Sequence, residues 1–371
     1  MKILKRTMIV FVILLVALVV GGYLFMQSAS FGKLPSGERL ERIKKSPYYK
    51  GDHFENLEDT PQLTEGASYY SVLKEFVFGK DKRNTPLDSI PSKKTDLKSI
   101  KPEEEVLVWF GHSSYFIQVD GKKILVDPVL SGAASPVKFT TRSYKGTDVY
   151  LVDDFPNIDY LFLSHDHWDH VDYETLVKLQ PKVGRVIAGL GVGAHLERWG
   201  YTPEQIIETD WNEQSVLDSG FVATTTPARH FSGRGFSPNK SLWASFVLQT
   251  PSAKFYIGGD SGYGKHFAQI GQEHGPFDLV LLECGQYNKS WKNIHMMPEE
   301  VVQAAEDLKA KKLMPVHWSK FSLANHAWDE PIIRVTKEAL RKGMPLIHPL
   351  IGEEMNLRDT VLGTNWWEGR N

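Results

Sequence analysis

Six consecutive residues, His165-Asp166-His167-Trp168-Asp169-His170, put imidazoles and carboxylates directly behind the apolar run Tyr160-Leu161-Phe162-Leu163-Ser164. Such groups are costly to leave unpaired at the end of a buried strand, and a cation is what makes so dense a cluster tolerable. In an extended segment His165 and His167 project to the same side and can clasp one ion. Asp169 and His170 come where the chain turns away, aiming a carboxylate and an imidazole at a neighbouring position. That geometry suits two metals about 3.5–4 Å apart, as in hydrolytic metal pairs. A polar surface turn explains single residues of this kind; the full H-x-H-x-D-H pattern behind a strand points to a metal site.

Further ligands come in the same setting. The strand-like run Phe221-Val222-Ala223-Thr224-Thr225-Thr226-Pro227 leads into His230, Ala253-Lys254-Phe255-Tyr256-Ile257-Gly258-Gly259 leads into Asp260, and Lys312-Leu313-Met314-Pro315-Val316 leads into His317. Taken singly, each reads as an ordinary turn residue. Together they form a constellation.

This order of strand-terminal ligands resembles the metallo-β-lactamase superfamily of hydrolases, from about Val106 to Gly352. The resemblance implies that His165, His167 and His230 hold one metal, that Asp169, His170 and His317 hold the other, and that Asp260 bridges. The words Trp109-Phe110-Gly111-His112-Ser113, Leu125-Val126-Asp127-Pro128, His295-Met296-Met297-Pro298-Glu299-Glu300 and His317-Trp318-Ser319-Lys320-Phe321-Ser322-Leu323-Ala324-Asn325 are similar to the branch containing N-acylphosphatidylethanolamine-hydrolysing phospholipase D and its bacterial relatives. The implied activity is a metal-dependent phosphodiesterase acting on N-acylphosphatidylethanolamine-like lipids. The fold also hosts lactonases and esterases, so a small soluble substrate, phosphorylated or not, is the alternative.

Two divalent ions are expected, zinc by the histidine-rich donor set, with manganese or iron as alternatives at a carboxylate-bridged site. Asp166 has no ligand role in the family and is expected to orient a ligand or the water. Asp127, at a strand end, is expected to support a ligand from behind or to cap its turn. His112 and His295 are candidates for binding a phosphate oxygen or protonating a leaving group, although His295 precedes a helix and would also serve as its cap. His266 and His326 read as surface residues. Phe231, Phe236, Tyr287, Trp291, Trp318 and Phe321 divide between an acyl-chain groove and the core.

The elements that position these groups are legible in outline. Val106 to Phe110, Tyr115 to Val119 and Lys123 to Val126 read as a strand meander. Pro298 to Lys311 reads as a helix, with Pro298 at its first position and Glu299 and Glu300 in its first turn. Periodicity alone yields mixed α and β; the αββα sandwich, an α/β fold, is what the resemblance implies. With 371 residues, 42% of them hydrophobic, the chain suffices for one large domain plus extensions. A net charge of -2 provides no basic field, so no nucleic acid partner is expected. Cys284 is the one cysteine, which excludes an intramolecular disulfide, and it reads as a packed thiol.

The N-terminus predicts a second partner, the bilayer. Met8 to Met26 carries no charge and has about the 20 residues needed to span a membrane, behind Lys2, Lys5 and Arg6. A cleaved signal peptide would have a shorter apolar region and a small-x-small site after it. The expected division is a basic tail (1–7), a transmembrane anchor (8–26), an extension and linker (27–104), the catalytic domain (105–355) and a C-terminal tail (356–371). The anchor is read as a single pass with the catalytic domain outside the cytoplasm. In the extension, Gly37 to Lys45 has helical character, and Tyr69, Val72, Leu73, Phe76 and Val77 share a helical face that predicts a short helix docked on the domain. The sequence leaves the oligomeric state open.

Overall fold

The structure, a computed structural model, describes residues 1–359 and 364–370; of the expected C-terminal tail, 360–363 and 371 lie outside the described residues. The chain opens with α1 (Lys2–Met26), none of whose residues is buried. Among the described residues it is the one helix long and apolar enough to cross a membrane, spanning about 37 Å at the helical rise. Next comes α2 (Gly37–Ile43), tied down by Arg39, whose guanidinium donates to Glu197 and Glu208. A hairpin of β1 (Tyr49–Lys50) and β2 (His53–Phe54) buries Phe54 completely.

The helix predicted around residue 73 forms as α3 (Tyr69–Phe78), with Ser68 and Ser71 building a capping box. It is turned over relative to the expectation. Leu73 is 62% and Val77 59% exposed, and the side held to the protein is that of Glu75, which accepts a hydrogen bond from Asn288. Periodicity identified the apolar face correctly, but a polar contact decided which side meets the domain.

The strands β3 (Val106–Trp109), β4 (Tyr115–Val119), β5 (Lys122–Val126), β6 (Ile158–Leu163), β7 (Val183–Gly189) and β8 (Ile206–Thr209) build most of one sheet. The second comprises β9 (Gln214–Asp218), β10 (Phe221–Thr226), β11 (Ser245–Gln249), β12 (Lys254–Ile257), β13 (Leu279–Glu283) and β14 (Leu313–Val316). Finally β15 (Glu354–Asn356) pairs antiparallel with β3, so the spatial orders are β15-β3-β4-β5-β6-β7-β8 and β14-β13-β12-β11-β10-β9.

Alternation along the strands sorts the layers. Leu107, Trp109, Tyr115 and Ile117 enter the core between the sheets together with Phe246 and Ile257, its partner on β12. Val106, Val108 and Phe116 point the other way, onto α4 (Tyr173–Leu179) and α5 (Gly193–Arg198). The outer face of the second sheet is covered by α6 (His266–Glu273), α7 (Pro298–Asp307) and α8 (Glu330–Lys342), through Phe267, Val301 and Ile332. The result is an αββα sandwich. Because both faces of each sheet are covered, central strands such as β6 and β13 read as nearly unbroken apolar runs. The predicted extension of α7 to Lys311 is cut short: Ala310 N–H bonds to Ala305 O and Lys309 N–H to Glu306 O, with Lys309 at φ 58, a left-handed C-terminal stop.

This topology positions the site. In the first sheet β5 through β8 run parallel, and in the second β12, β13 and β14 do. Since β10 and β12 are both antiparallel to β11, β10 shares the direction of β12. The segments that follow β10, β12 and β14 therefore emerge on one edge of the second sheet, facing the end of β6. The C-terminal segment is no free tail: Trp366 stacks on Trp318 at 5.3 Å, and both Trp366 and Trp367 are buried.

Candidate metal centre

Behind β6 the chain folds back on itself, with Val171 N–H donating to His167 O at 2.8 Å. The turn brings His165 Nε2 to 2.9 Å from His167 Nδ1, and His230, arriving behind β10, brings its Nε2 to 3.2 Å from the same atom. Beside these three imidazoles lies a second group, Asp169, His170, His317 and His112, whose ligand atoms all fall within 4.8 Å of one another. Asp260 stands between the groups. Its Oδ2 is 3.8 Å from both His165 Nε2 and His230 Nε2 and 3.2 Å from His170 Nε2, and its Oδ1 is 3.1 Å from His317 Nδ1.

The donor set suits cations. Asp127, at φ 39, accepts from Ser164 N–H and Ser164 Oγ at 2.9 and 2.6 Å and from His170 Nδ1 at 2.8 Å. That last bond occupies Nδ1 and leaves Nε2 as the His170 atom that would face a cation. This Nε2 is buried without a hydrogen-bond partner, as is Asp260 Oδ1. Orphaned atoms of this kind cost about 1–3 kcal/mol each, and divalent ions held between the two groups would satisfy them.

Electrostatics within the cluster are extreme. Burial lowers the pKa of His170, but Asp260, Asp169 and Asp127 outweigh it and hold the imidazole well above its usual range. Burial by itself would raise Asp260, yet His170 and His317 pull it well below the ordinary carboxylate range. Burial, aided by His170 and His167, drives His165 well down, so it offers a lone pair.

His112 was expected to touch substrate. It is instead fully buried, with Nε2 2.8 Å from Asp169 Oδ2 and its ring 4.0 Å from that of His317. The two loops exchange backbone bonds, His112 N–H to Trp318 O and His317 N–H to His112 O, both at 2.9 Å. Both histidines pay for this with positive φ, 52 and 69, the kind of strain that concentrates at functional sites. His112 thus belongs with the ligand group and holds Asp169.

His295 sits at the edge of the cluster, its ring 5.0 Å from His230 and 5.4 Å from His317. It is not the cap of α7; that position is Met297, whose N–H donates to Glu300 at 2.8 Å. Its Nδ1 lies 3.4 Å from Glu283 Oε1. Glu283 was missed by sequence reasoning. It is fully buried, accepts from Met296 N–H, and burial pushes its carboxyl up to about 7 against the pull of His295. The signal was a carboxylate closing the apolar run Leu279-Val280-Leu281-Leu282, a position where an acid needs a partner.

Asp166 turns away from the cluster. Its carboxylate accepts from Gly233 N–H at 2.6 Å, Ser241 Oγ at 2.7 Å and His195 Nε2 at 3.2 Å, so it braces the ligand loop. Arg234, also unnoticed in the sequence, is buried and donates to Asp166 O and Val171 O at 2.8 and 2.7 Å and to Ser30 O at 2.8 Å. Its guanidinium lies 3.8 Å over the Trp168 ring. His266 and His326 are not the surface residues expected: His266 is buried beside Ser261 Oγ, and His326 accepts the Gln286 N–H while stacking on Tyr287. Cys284 is a fully buried thiol.

The aromatic residues separate. Trp318, Phe321 and Tyr287 are buried, Trp318 stacked on Trp109. Phe231 packs on His167 at 4.5 Å and is half-buried, as is Trp291. Phe236 is exposed.

Comparison with known proteins places this geometry in context. A family model described as a beta-lactamase superfamily domain matches residues 122–318. Over 331 residues the chain is 36% identical to an uncharacterised protein of Mycobacterium tuberculosis, an alignment covering 87% of this chain and 88% of the relative. It is 28% identical over 267 residues to an N-acyl-phosphatidylethanolamine-hydrolysing phospholipase D of Caenorhabditis elegans, covering 65% of this chain and 74% of that protein. Among solved structures, the metallo hydrolase Igni18 of the archaeon Ignicoccus hospitalis superposes with a TM-score of 0.54 at 19% identity, covering 68% of this chain and 97% of that one.

Proposed function

Since the chain belongs to the metallo-β-lactamase superfamily of metal-dependent hydrolases, we propose that it is a membrane-anchored phosphodiesterase of phospholipase D type, acting on N-acylphosphatidylethanolamine-like lipids. The observation that carries this reading is the junction of anchor and ligand loop. Phe25, in the last turn of α1, packs edge-on to Phe31 at 5.3 Å, and Phe31 packs edge-on to Trp168 at 4.9 Å. Trp168 lies inside the H-x-H-x-D-H segment, so a bilayer holding α1 lies beside the metal-bearing edge. The phospholipase relative in Caenorhabditis elegans supports the same substrate class. On this reading residues 8–26 span the membrane once, with the domain of residues 105–355 outside the cytoplasm and residues 27–104 linking the two.

Two divalent ions, zinc by the histidine-rich donors, would be held by His165, His167 and His230 on one side, by Asp169, His170 and His317 on the other, and by Asp260 across both, supplying an activated water and countercharge for a phosphoryl oxygen. Asp127 keeps the Nδ1 proton of His170 in place. His295, its Nδ1 toward Glu283, would donate a proton to the departing N-acylethanolamine oxygen as the oxygen of a water bonds to phosphorus, the phosphorus–oxygen bond to that leaving group breaks and phosphatidic acid is released. Phe231 and Trp291 wall the approach.

The test is a panel of N-acylphosphatidylethanolamine, other phospholipids, lactones and thioesters with metal-loaded full-length protein. His295→Ala is expected to lower lipid turnover by about 10²-fold or more, the scale of a lost general acid, with metal content unchanged. Wild-type turnover in that variant removes the acid role, and efficient lactone cleavage without lipid cleavage replaces the phosphodiesterase reading. Extraction of the protein from membranes by high salt removes the anchor.

A further inference from the structure

Among the described residues nothing covers the apolar face of α3. Tyr69, Leu73, Phe76 and Val77 follow the i, i+4, i+7, i+8 spacing of one helical face, Tyr70 widens it, and Phe78 ends the helix on its other side. Tyr69 and Tyr70 are 74% and 77% exposed and Phe78 83%. A face of this size in water is costly, and scattered surface residues do not explain it.

The helix is nevertheless firmly placed. Glu75 Oε1 accepts from Asn288 Nδ2 at 2.9 Å, Thr64 N–H and Thr64 Oγ donate to Ser290 O and Lys289 O, and Asp81 N–H donates to Asn325 O. Their partners Asn288, Lys289, Ser290 and Asn325 lie in the loops that follow β13 and β14, the loops carrying His295 and His317. Thus α3 is mounted on the metal-bearing edge. The end of α1 is mounted on the same edge, through Phe31 on Trp168. Beside the aromatic face stand Lys74, Lys80 and Lys82 against Glu75 and Asp81, while Arg83 is paired with the buried Asp329. Lys80 Nζ lies 4.1 Å over the Phe76 ring, its stem along the apolar surface and its charge at the rim. Tyrosines at one end, a Leu/Phe/Val face and a basic border are what a helix lying in the headgroup layer presents. A second protein copy would have to match the basic border; a membrane surface bearing anionic lipid does so without specific contacts.

We propose that α3 is a bilayer-docking helix, seated in the interface beside the metal centre, so that the protein rests on the membrane at α3 as well as at α1. The inference rests on the reading of α1 as a membrane span and is independent of which substrate is cleaved. It gives the catalytic domain a fixed orientation: a domain tethered at one end only would swing, whereas two supports on one edge hold the metal centre against the lipid.

The experiment uses the full chain. Because Cys284 is fully buried, single cysteines introduced as Leu73→Cys or Val77→Cys can be labelled selectively with a polarity-sensitive fluorophore. The control is Val216→Cys, 75% exposed on β9, whose antiparallel partner β10 carries His230 beyond its opposite end. Labelled proteins are reconstituted into vesicles of phosphatidylcholine and phosphatidylglycerol. The expected result is a blue-shifted emission at 73 and 77, quenched several-fold by brominated lipid, with the probe at 216 unshifted and unquenched. Probes at 73 and 77 as wet as that at 216, in protein that stays with the vesicles under high salt, overturn the docking of α3 and leave the anchor standing. Protein released by high salt overturns both. A blue shift without lipid quenching that vanishes when the protein is diluted among excess vesicles assigns the face to a second copy of the chain and overturns the proposal.

Discussion

Arg234 is the residue whose replacement tests most directly how the ligand loop is held. Its guanidinium supplies the bonds to Asp166 O, Val171 O and Ser30 O and covers the Trp168 ring. The first two acceptors bracket the ligands His167, Asp169 and His170. Arg234→Met keeps much of the volume and removes every donor. A buried carbonyl left unpartnered costs about 1–3 kcal/mol, and a desolvated cation–π contact adds about 2 kcal/mol. Against this stand the relieved desolvation of the guanidinium and the access of water to Ser30 O, which is only part-buried. A net loss of about 3–5 kcal/mol follows. If about 3 kcal/mol of it falls on the loop when the ligands are assembled, metal affinity drops by about two orders of magnitude. The assay is competition with a chelator of known affinity, paired with urea unfolding of the metal-free protein. Arg234→Lys should lose less, because it keeps the charge and some donors while losing the fork. If Arg234→Met binds metal within about threefold of wild type and unfolds at the same urea concentration, the bracing role is refuted.

Other outcomes follow from the same geometry. Purified protein should carry close to two transition-metal ions per chain, and Asp260→Ala should disrupt both, since its two oxygens face both ligand groups; a wild type with one tight ion and a vacant second site sinks the dinuclear reading. Asp127→Asn should weaken metal binding by about 10–100-fold by disturbing the bond that selects the His170 tautomer, measurable by isothermal titration; an unchanged affinity would refute that selection. Glu283 keeps its proton in the folded chain up to about 7 but ionises at its ordinary 4.5 when unfolded. The unfolded state then binds fewer protons between those values, so this group makes stability fall as pH rises from about 4.5 to about 7. Glu283→Gln should therefore stabilise the metal-free protein increasingly across that window, by up to about 3 kcal/mol, and a pH-independent difference in unfolding free energy argues against it.

What could be read in the chain and what could not differ by the range of the interaction. The ligand motif was legible because its information is local. His165 and His167 share a side of an extended segment, Leu163 and Phe162 mark a buried strand just before them, and Pro298 with Glu299 and Glu300 announces a helix start within one turn. His230, Asp260 and His317 were visible for the same reason, each closing its own apolar run. Their convergence on one centre was supplied by resemblance and realised by the parallel pairing of strands distant in sequence.

The remainder depends on what packs across. Ser30 is 204 residues from Arg234, and nothing in either neighbourhood encodes the other. His112 looked like a substrate-facing residue in its own word, and only the backbone exchange with His317 buries it against Asp169. The periodicity of α3 identified which residues share a face; the hydrogen bond between Glu75 and Asn288 decided that this face looks outward. Glu283 and Trp366 read as a strand terminus and a tail until His295 and Trp318 come to meet them. Strand alternation, turns and ligand spacing act between neighbours along the chain and are written in its order. Burial, tautomer and proton affinity are set by the groups that folding brings from elsewhere, so they exist only in the folded molecule.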